Sequence, residues 1–292
     1  MTQSNNIPLG IGLMVVTTFI FSVQDGISRH LADQYNVLMI VMIRYWFFAV
    51  FVISIAARKA GGVRAAARTT QPVLQTVRGV LLAVEICVTV ISFTLLGLVE
   101  THAVFTSYPL LVAALSGPIL GESVGWRRWS AIGIGFIGVL IILQPGGGVF
   151  DPAAIIPLIA AAMFAVYALL TRYASRRDST ATSFFWTGVT GAVAMTALGF
   201  WAWEPMNASG WFWMSVLCLT GVTGHWLLIR CYEVAEASAV QPFAYLQLVF
   251  ASAMGVTFFG ETVRTNVAAG AVLIVAAGLF TLWRERTQGR SG

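Results

Sequence analysis

The chain has 292 residues, of which 58% are hydrophobic and 10% are charged, and its mean hydropathy is +0.82. So few polar side chains cannot cover the surface of a water-soluble globule of this size. This excludes a soluble enzyme or binding domain and predicts an all-α integral membrane protein. The formal net charge of +5 could suggest a nucleic-acid partner, but the placement of the charges along the chain indicates membrane topology instead.

Apolar runs separated by charged or turn-forming residues predict ten transmembrane helices, since one span needs about 20 residues. The first half holds spans at residues 9–30, 36–57, 72–95, 99–120 and 127–144. The second half holds spans at residues 153–174, 182–203, 210–230, 237–258 and 265–284. The first charged residue is Asp25, so the first run lacks the basic region of a cleavable signal peptide and is expected to be a retained helix.

Basic residues fall on alternate loops between these spans. One set of loops carries Arg58, Lys59, Arg64, Arg68, Arg127, Arg128, Arg172, Arg176, Arg177, Arg230, Arg284, Arg286 and Arg290. The opposite set carries Asp33, Glu100, Asp151 and Glu204, with only Arg29 and Arg264 as bases. Because Lys and Arg collect in cytoplasmic loops, both termini are expected in the cytoplasm.

A short phrase occurs twice and indicates a duplicated chain. Leu120-Gly121-Glu122-Ser123-Val124 is repeated as Phe259-Gly260-Glu261-Thr262-Val263, and 261 − 122 gives a separation of 139 residues. Each phrase interrupts an apolar run, so Glu122 and Glu261 are expected to fix corners between helices. The chain is therefore read as one membrane domain with repeats at 1–148 and 149–292. Five spans in each half would invert one repeat relative to the other, an arrangement found in many secondary transporters.

Two inverted sets of five spans, each with a Gly-Glu-x-Val phrase before its last helix, resemble the drug/metabolite transporter superfamily in its ten-helix EamA branch. Within that branch the chain is most similar to bacterial exporters of aromatic and other amino acids. The resemblance implies a transporter in the bacterial inner membrane that works by alternating access and carries small metabolites.

Charged groups at membrane depth are the first candidates for a site, because each is costly unless it is paired or faces water. Glu85 lies near the middle of the third span, and Thr89 extends the same polar stripe with Ser92 and Arg78. These residues are expected to line a cavity, although a neighbouring helix could also satisfy the Glu85 carboxyl.

Asp25 and Arg44 lie at similar depth on the first two spans and are expected to form a structural or coupling pair. Asp25 could equally pair with Arg29 one helical turn later. His102 and His225 are each open to two interpretations, a hydrogen bond inside the protein or a contact with substrate.

Aromatic and amide side chains complete the expected substrate cavity. They are Tyr108 on the fourth span, Tyr167 on the sixth, and Gln241, Tyr245 and Gln247 on the ninth. Pro109 and Pro242 free backbone carbonyls that another helix, water or a ligand must satisfy, and such positions often mark kinks near sites. The cluster on the fourth and ninth spans is notable because these two spans are equivalent in the repeat.

The absence of a Gly-x-Ser-x-Gly or His-Glu-x-x-His constellation argues against an intramembrane enzyme. Cys87, Cys218 and Cys231 provide no paired metal motif, so neither a cofactor nor a metal is expected. Few fixed charges and many aromatic, amide and hydroxyl groups favour amino acids, led by aromatic and apolar ones, over phosphates. The alternative is a proton-coupled exporter of cationic drugs or other metabolites.

The expected partners are a small-molecule substrate and the lipid bilayer, with no nucleic acid. Small-residue runs on the fifth and tenth spans, including Gly138 and Gly270, permit close helix packing either inside a monomer or across a homodimer.

Overall fold

The computed structural model describes residues 6–59, 61–120, 126–143, 153, 155–174, 176–234 and 243–288, and this part of the chain is all-α. Its first helices are α1 (Ile7–Ala32), α2 (Val37–Arg58), α3 (Gly62–Ala67), α4 (Pro72–Phe105), α5 (Tyr108–Leu120) and α6 (Trp126–Leu143). The later ones are α7 (Ile155–Ala174), α8 (Thr180–Gly199), α9 (Ala208–Val234), α10 (Leu246–Phe259) and α11 (Thr265–Gln288). A 3-10 turn, Phe200–Ala202, extends α8.

Five of the described helices are long and apolar enough to cross a membrane, namely α1, α2, α4, α8 with its 3-10 extension, and α9. The other apolar helical segments have 10–17 residues each. Helix α5, for example, has 13 residues and α10 has 14. A full crossing needs about 20 residues. Ten complete spans therefore stay a prediction.

The boundary between the third and fourth expected spans differs from the sequence reading. Helix α4 continues from Pro72 through a kink at Gly97, which has φ 82° and ψ 178°, and ends only at Phe105. The expected fourth span is thus divided between the end of α4 and the separate helix α5. A residue with positive φ is tolerated at low cost when it is Gly, which explains why the break falls at this position.

Local sequence defines where several helices begin. The Asn36 side chain accepts a hydrogen bond from the amide of Leu38 at the start of α2, and Ser179 accepts one from Thr182 at the start of α8. Such caps satisfy amides that have no partner within the helix. Pro72 occupies the first turn of α4, where its missing N–H costs nothing.

Packing between the two halves follows a regular pattern. Helix α1 packs on α9 and α10, whereas α7 packs on α4 and α5. Counting spans in each half makes α7 equivalent to α1, α9 to α4, and α10 to α5, so these contacts correspond. Helices α2 and α8 are also equivalent and pack together, as do α6 and α11.

The contact between α6 and α11 depends on glycine. A Cβ added to Gly138 would lie 2.8 Å from the carbonyl oxygen of Gly270, and a Cβ added to Gly270 would lie 2.5 Å from the carbonyl oxygen of Gly138. Both distances are too short for a real side chain. The two backbones therefore touch directly, and this small-residue surface is used inside one chain.

Candidate functional site

Two clefts between the described helices bring candidate residues together. The Arg44 cleft, between α2, α4 and α9, is lined by Arg44, Tyr45, Phe48, Leu82, Ile86, Cys218, Gly221, Val222 and His225. The Tyr108 cleft, between α4, α5 and α10, is lined by His102, Phe105, Thr106, Tyr108, Pro109, Ala244, Tyr245, Gln247 and Leu248. Their empty volumes, which include space open to solvent, are about 360 Å³ and about 330 Å³.

The Tyr108 cleft brings together three residues that were expected to share a cavity. Tyr108, Tyr245 and Gln247 all line it, although they come from two distant parts of the chain. Phe164 of α7 extends the aromatic wall, because its ring packs edge-on against Tyr108 with centroids 4.9 Å apart. The cleft therefore has an aromatic wall, with an amide as one of its polar groups.

The sequence suggested that Asp25 pairs with Arg44 or Arg29, but it pairs with neither. Its Oδ2 lies 3.2 Å from Nε2 of His102 and accepts a hydrogen bond of 3.1 Å from the Gln247 amide. Both partners line the Tyr108 cleft. The carboxylate of α1 therefore joins α4 and α10 beside that cleft, because the rotation of α1 points residue 25 away from α2.

Arg44 and His225 lie in the other cleft. The ring of His225 donates from Nδ1 to the carbonyl of Gly221 at 2.8 Å and packs between Phe21 and Phe48, with centroids 5.2 Å and 6.0 Å away. One of its nitrogens is thus used inside helix α9. The same ring lines the cleft, and its contact with substrate stays a prediction.

Glu85 and Thr89 are not part of the lining of these two clefts. Glu85 is buried, and its Oε1 accepts a hydrogen bond of 2.7 Å from the Thr89 hydroxyl. Asp25 and Arg44 act on the Glu85 carboxyl electrostatically. Glu85 therefore lies within electrostatic range of one charged group at each cleft.

The rest of the expected polar stripe on α4 makes separate contacts. Ser92 shares a hydrogen bond of 3.0 Å with Thr101. Arg78 is fully buried and donates to the Tyr167 hydroxyl at 3.3 Å and to the Gln75 side chain at 2.8 Å. Tyr167 thus belongs with Arg78 rather than with the lining of the Tyr108 cleft.

Arg78 is part of a polar network that the sequence did not reveal. Its guanidinium also donates to the Ser183 carbonyl, and Gln75 donates onward to Asp178 at 2.8 Å. Asp178 precedes α8 outside the spans. Partial burial raises the pKa of this carboxyl, but hydrogen bonds from Thr69 and Gln75 outweigh burial and hold the pKa below its usual value. An arginine inside an apolar run was the available signal, since it must find partners.

Glu261 lies at the corner between α10 and α11. Its two carboxylate oxygens accept hydrogen bonds from the amides of Leu98 and Val99, each 2.8 Å long, and it forms an ion pair with Arg29. Arg264 instead pairs with Glu100 at 2.6 Å. The Glu261 carboxylate therefore accepts hydrogen bonds from the backbone amides that the Gly97 kink leaves without helical partners. Glu122 and Gln241 lie outside the described residues.

Comparison with known proteins agrees with these features. The sequence profile of the EamA-like transporter family matches residues 8–144 and again 152–283. An S-adenosylmethionine uptake transporter of Rickettsia prowazekii is 23% identical over 280 residues, covering 95% of this chain and 93% of that protein. A riboflavin transporter of Rhizobium johnstonii is 30% identical over 252 residues, covering 84% and 82% respectively.

A protein of known crystal structure superposes with a TM-score of 0.62 at 19% identity, covering 98% of this chain and 99% of that chain, which supports the fold alone. The described residues contain no group of three or more side chains suited to hold a metal. Together with the profile matches in both halves, the apolar helices and the clefts at their interface lead to one conclusion: this chain belongs to the EamA-like transporter family and is a membrane transporter of small metabolites, not an enzyme.

Proposed function

We propose that this protein is a secondary transporter that carries amphiphilic metabolites with an aromatic or apolar part, amino acids among them, by alternating access. The observation that supports this proposal is the Tyr108 cleft, which is lined by Tyr108 of α5 and by Tyr245 at the start of α10. An aromatic wall with few polar groups suits a substrate with a flat apolar part. Gln247 supplies a neutral donor and acceptor beside it.

Repeats at 1–148 and 149–292, inverted relative to each other, provide the two states that this mechanism needs. The family profile supports this division because it matches once in each half. The corresponding contacts of α1 with α9 and of α7 with α4 also support it. The glycine contact between α6 and α11 uses the small-residue surface within the chain, which favours a monomer as the functional unit.

The relatives refine the substrate class. S-adenosylmethionine joins a purine to an amino acid, and riboflavin carries a fused aromatic ring with a polar chain. Both therefore combine an aromatic part with hydrogen-bonding groups, as an aromatic amino acid does. The placement of basic loops favours a bacterial inner-membrane protein with cytoplasmic termini. Export stays a prediction from the sequence, and the Rickettsia prowazekii relative is named for uptake.

Counterflow in proteoliposomes tests this proposal. Purified protein would be assayed with labelled L-tryptophan, L-leucine, S-adenosylmethionine and riboflavin, with the liposomes preloaded with the same unlabelled compound. We expect Tyr108→Ala and Tyr245→Ala to change the ratio of tryptophan to leucine counterflow by about two- to tenfold, since an aromatic contact contributes about 0.5–1.5 kcal/mol.

The matched control is Tyr173→Ala, because Tyr173 is exposed, at 41%, and lies outside both clefts. It should leave the ratio unchanged. Unaltered counterflow in both cleft variants would contradict the assignment of the Tyr108 cleft. Absence of counterflow for all four compounds in the parent protein would contradict the substrate class.

A further inference from the structure

Arg44 is a cation at membrane depth without a direct partner among the described residues. At about 1.5 Å per residue, it lies roughly 10 Å along α2. The described arginine ion pairs join Arg29 to Glu261 and Arg264 to Glu100, and no described residue forms an ion pair or hydrogen bond with Arg44. Charges at such depth face either a partner or a water-filled cavity. The guanidinium of Arg44 lines a cleft and is therefore available to a ligand.

Two buried polar atoms near Arg44 also have no partner in the described part of the chain. They are Oε1 of Gln24 and the hydroxyl of Tyr45, on side chains that are 5% and 2% exposed. Gly221 lines the cleft, and a Cβ added to it would lie 3.2 Å from Gln24 Oε1 and 3.5 Å from Arg44 Nε. The Gln24 amide and the Arg44 guanidinium therefore reach the same wall of the cleft. Buried polar atoms without partners are costly and call for a ligand or water.

These groups divide into hydrogen-bond donors and acceptors. Arg44 and the Tyr45 hydroxyl can donate, whereas Gln24 Oε1 accepts. His225 donates from Nδ1 to Gly221, so Nε2 of its neutral ring keeps a lone pair and accepts as well. A molecule that carries an anionic group and a protonated amine fits both sets.

We propose that Arg44 and Tyr45 bind the carboxylate of a zwitterionic substrate in the Arg44 cleft. Gln24 and His225 accept hydrogen bonds from its ammonium group, and Phe48 packs on its apolar part. The Tyr108 cleft, whose lining residues are different, contacts the substrate at another step of transport. An arginine matches a carboxylate with two parallel hydrogen bonds, which gives both affinity and orientation. This inference rests on the proposed function for its role in transport, and it narrows the substrate class to α-amino acids and molecules that contain one.

Equilibrium binding to purified protein in detergent tests it with three probes: L-tryptophan, tryptamine, which lacks the carboxylate, and indole-3-propionate, which lacks the amine. The parent protein should bind L-tryptophan at least about tenfold more tightly than either analogue, because a hydrogen bond to a charged group contributes about 1.5–3 kcal/mol. Arg44→Gln should weaken L-tryptophan binding to the level of tryptamine without weakening tryptamine binding. Arg44→Lys should restore part of the preference.

Arg58→Gln is the matched control, because Arg58 is exposed at the end of the same helix, and it should leave all three affinities unchanged. Tyr45→Phe should weaken L-tryptophan and indole-3-propionate binding but not tryptamine binding. The elution profile of each variant in size-exclusion chromatography would report folding. Equal weakening of all three probes by Arg44→Gln, or no preference for L-tryptophan in the parent, would overturn the assignment.

The binding assay is independent of transport. Tryptophan counterflow without a carboxylate preference would overturn the role of Arg44 and leave the proposed function standing. A carboxylate preference that depends on Arg44, without counterflow, would support the site and contradict the proposed function.

Discussion

Glu85 is a buried acid whose one direct hydrogen-bond partner among the described residues is Thr89. Arg44 and Asp25 act on it electrostatically, and these two residues are associated with different clefts. The Glu85 carboxyl therefore responds to a change of charge at either Asp25 or Arg44. We therefore expect Glu85 to carry any coupling between proton movement and substrate movement.

The Glu85→Gln variant keeps the shape of the side chain and can still accept the Thr89 hydrogen bond, but it cannot titrate. We expect it to lose accumulation driven by a pH gradient while substrate exchange in counterflow continues. Uptake into proteoliposomes with and without the gradient measures both. Glu100→Gln is the control, since Glu100 pairs with Arg264 outside the clefts. A variant that matches the parent at every pH, with the same affinity, would show that Glu85 is only a structural hydrogen-bonding group.

Sequence position predicts the depth of a side chain in a helix bundle better than its direction. Tyr108, Tyr245 and Gln247 were grouped by depth, and they line one cleft. Asp25 contacts His102 and Gln247 rather than Arg44 or Arg29, because depth does not give the rotation of α1 about its axis. Nothing in the sequence indicates a partner for His102, and only the packed structure places it 3.2 Å from Asp25.

At the scale of helices, Glu261 is the residue that joins the two halves at the Gly97 kink. The kink leaves the amides of Leu98 and Val99 without helical partners, and the carboxylate accepts from both. Arg29 of α1 compensates its charge. Hydropathy alone could not distinguish this kink from a loop, because Gly97 lies within a continuous apolar run and its partner is 164 residues away in sequence, from 261 − 97.

Glu261→Gln should lower the free energy of unfolding by about 1–3 kcal/mol, because it leaves the enclosed Arg29 without its counter-charge and one amide without a charged acceptor. The side chains of Arg29 and Glu261 are only 17% and 12% exposed. Thermal and denaturant unfolding in the same detergent would measure the loss.

Glu100→Gln is also the matched control for this prediction. It removes the partner of Arg264, which is 47% exposed, so the expected loss is about 0–1 kcal/mol. Equal destabilisation by the two substitutions would contradict the importance assigned to the Glu261 contact.

At the scale of the whole molecule, the halves are interleaved rather than placed side by side. The main partner of α1 is α9, and α4 packs on α7, so each half relies on the other to bury its first helix. Helix α1 also has consecutive residues at both clefts, with Gln24 near the Arg44 cleft and Asp25 at the Tyr108 cleft. Movement of α1 would therefore change the two clefts together.

The expected orientation can be tested with single cysteines in a background where the three native cysteines, all buried, are replaced. We expect Gln34→Cys, in the exposed turn after α1, to react with a membrane-impermeant maleimide in intact cells, because this loop lacks the basic excess of cytoplasmic loops. Lys59→Cys is the control at the opposite end of α2 and should react only after permeabilisation. The reverse result would contradict the expected orientation.

The pairing of α1 with α9 also determines the order of events during synthesis. Helix α1 ends at residue 32 and α9 begins at residue 208, so at about 5–20 residues per second the ribosome needs roughly 10–35 s to make the partner of a helix already inserted. During this delay the Asp25 carboxylate lacks the hydrogen bond from Gln247, because Gln247 is synthesised later still. The nascent first half is thus an exposed intermediate in the bilayer, and its lifetime is fixed by the rate of translation.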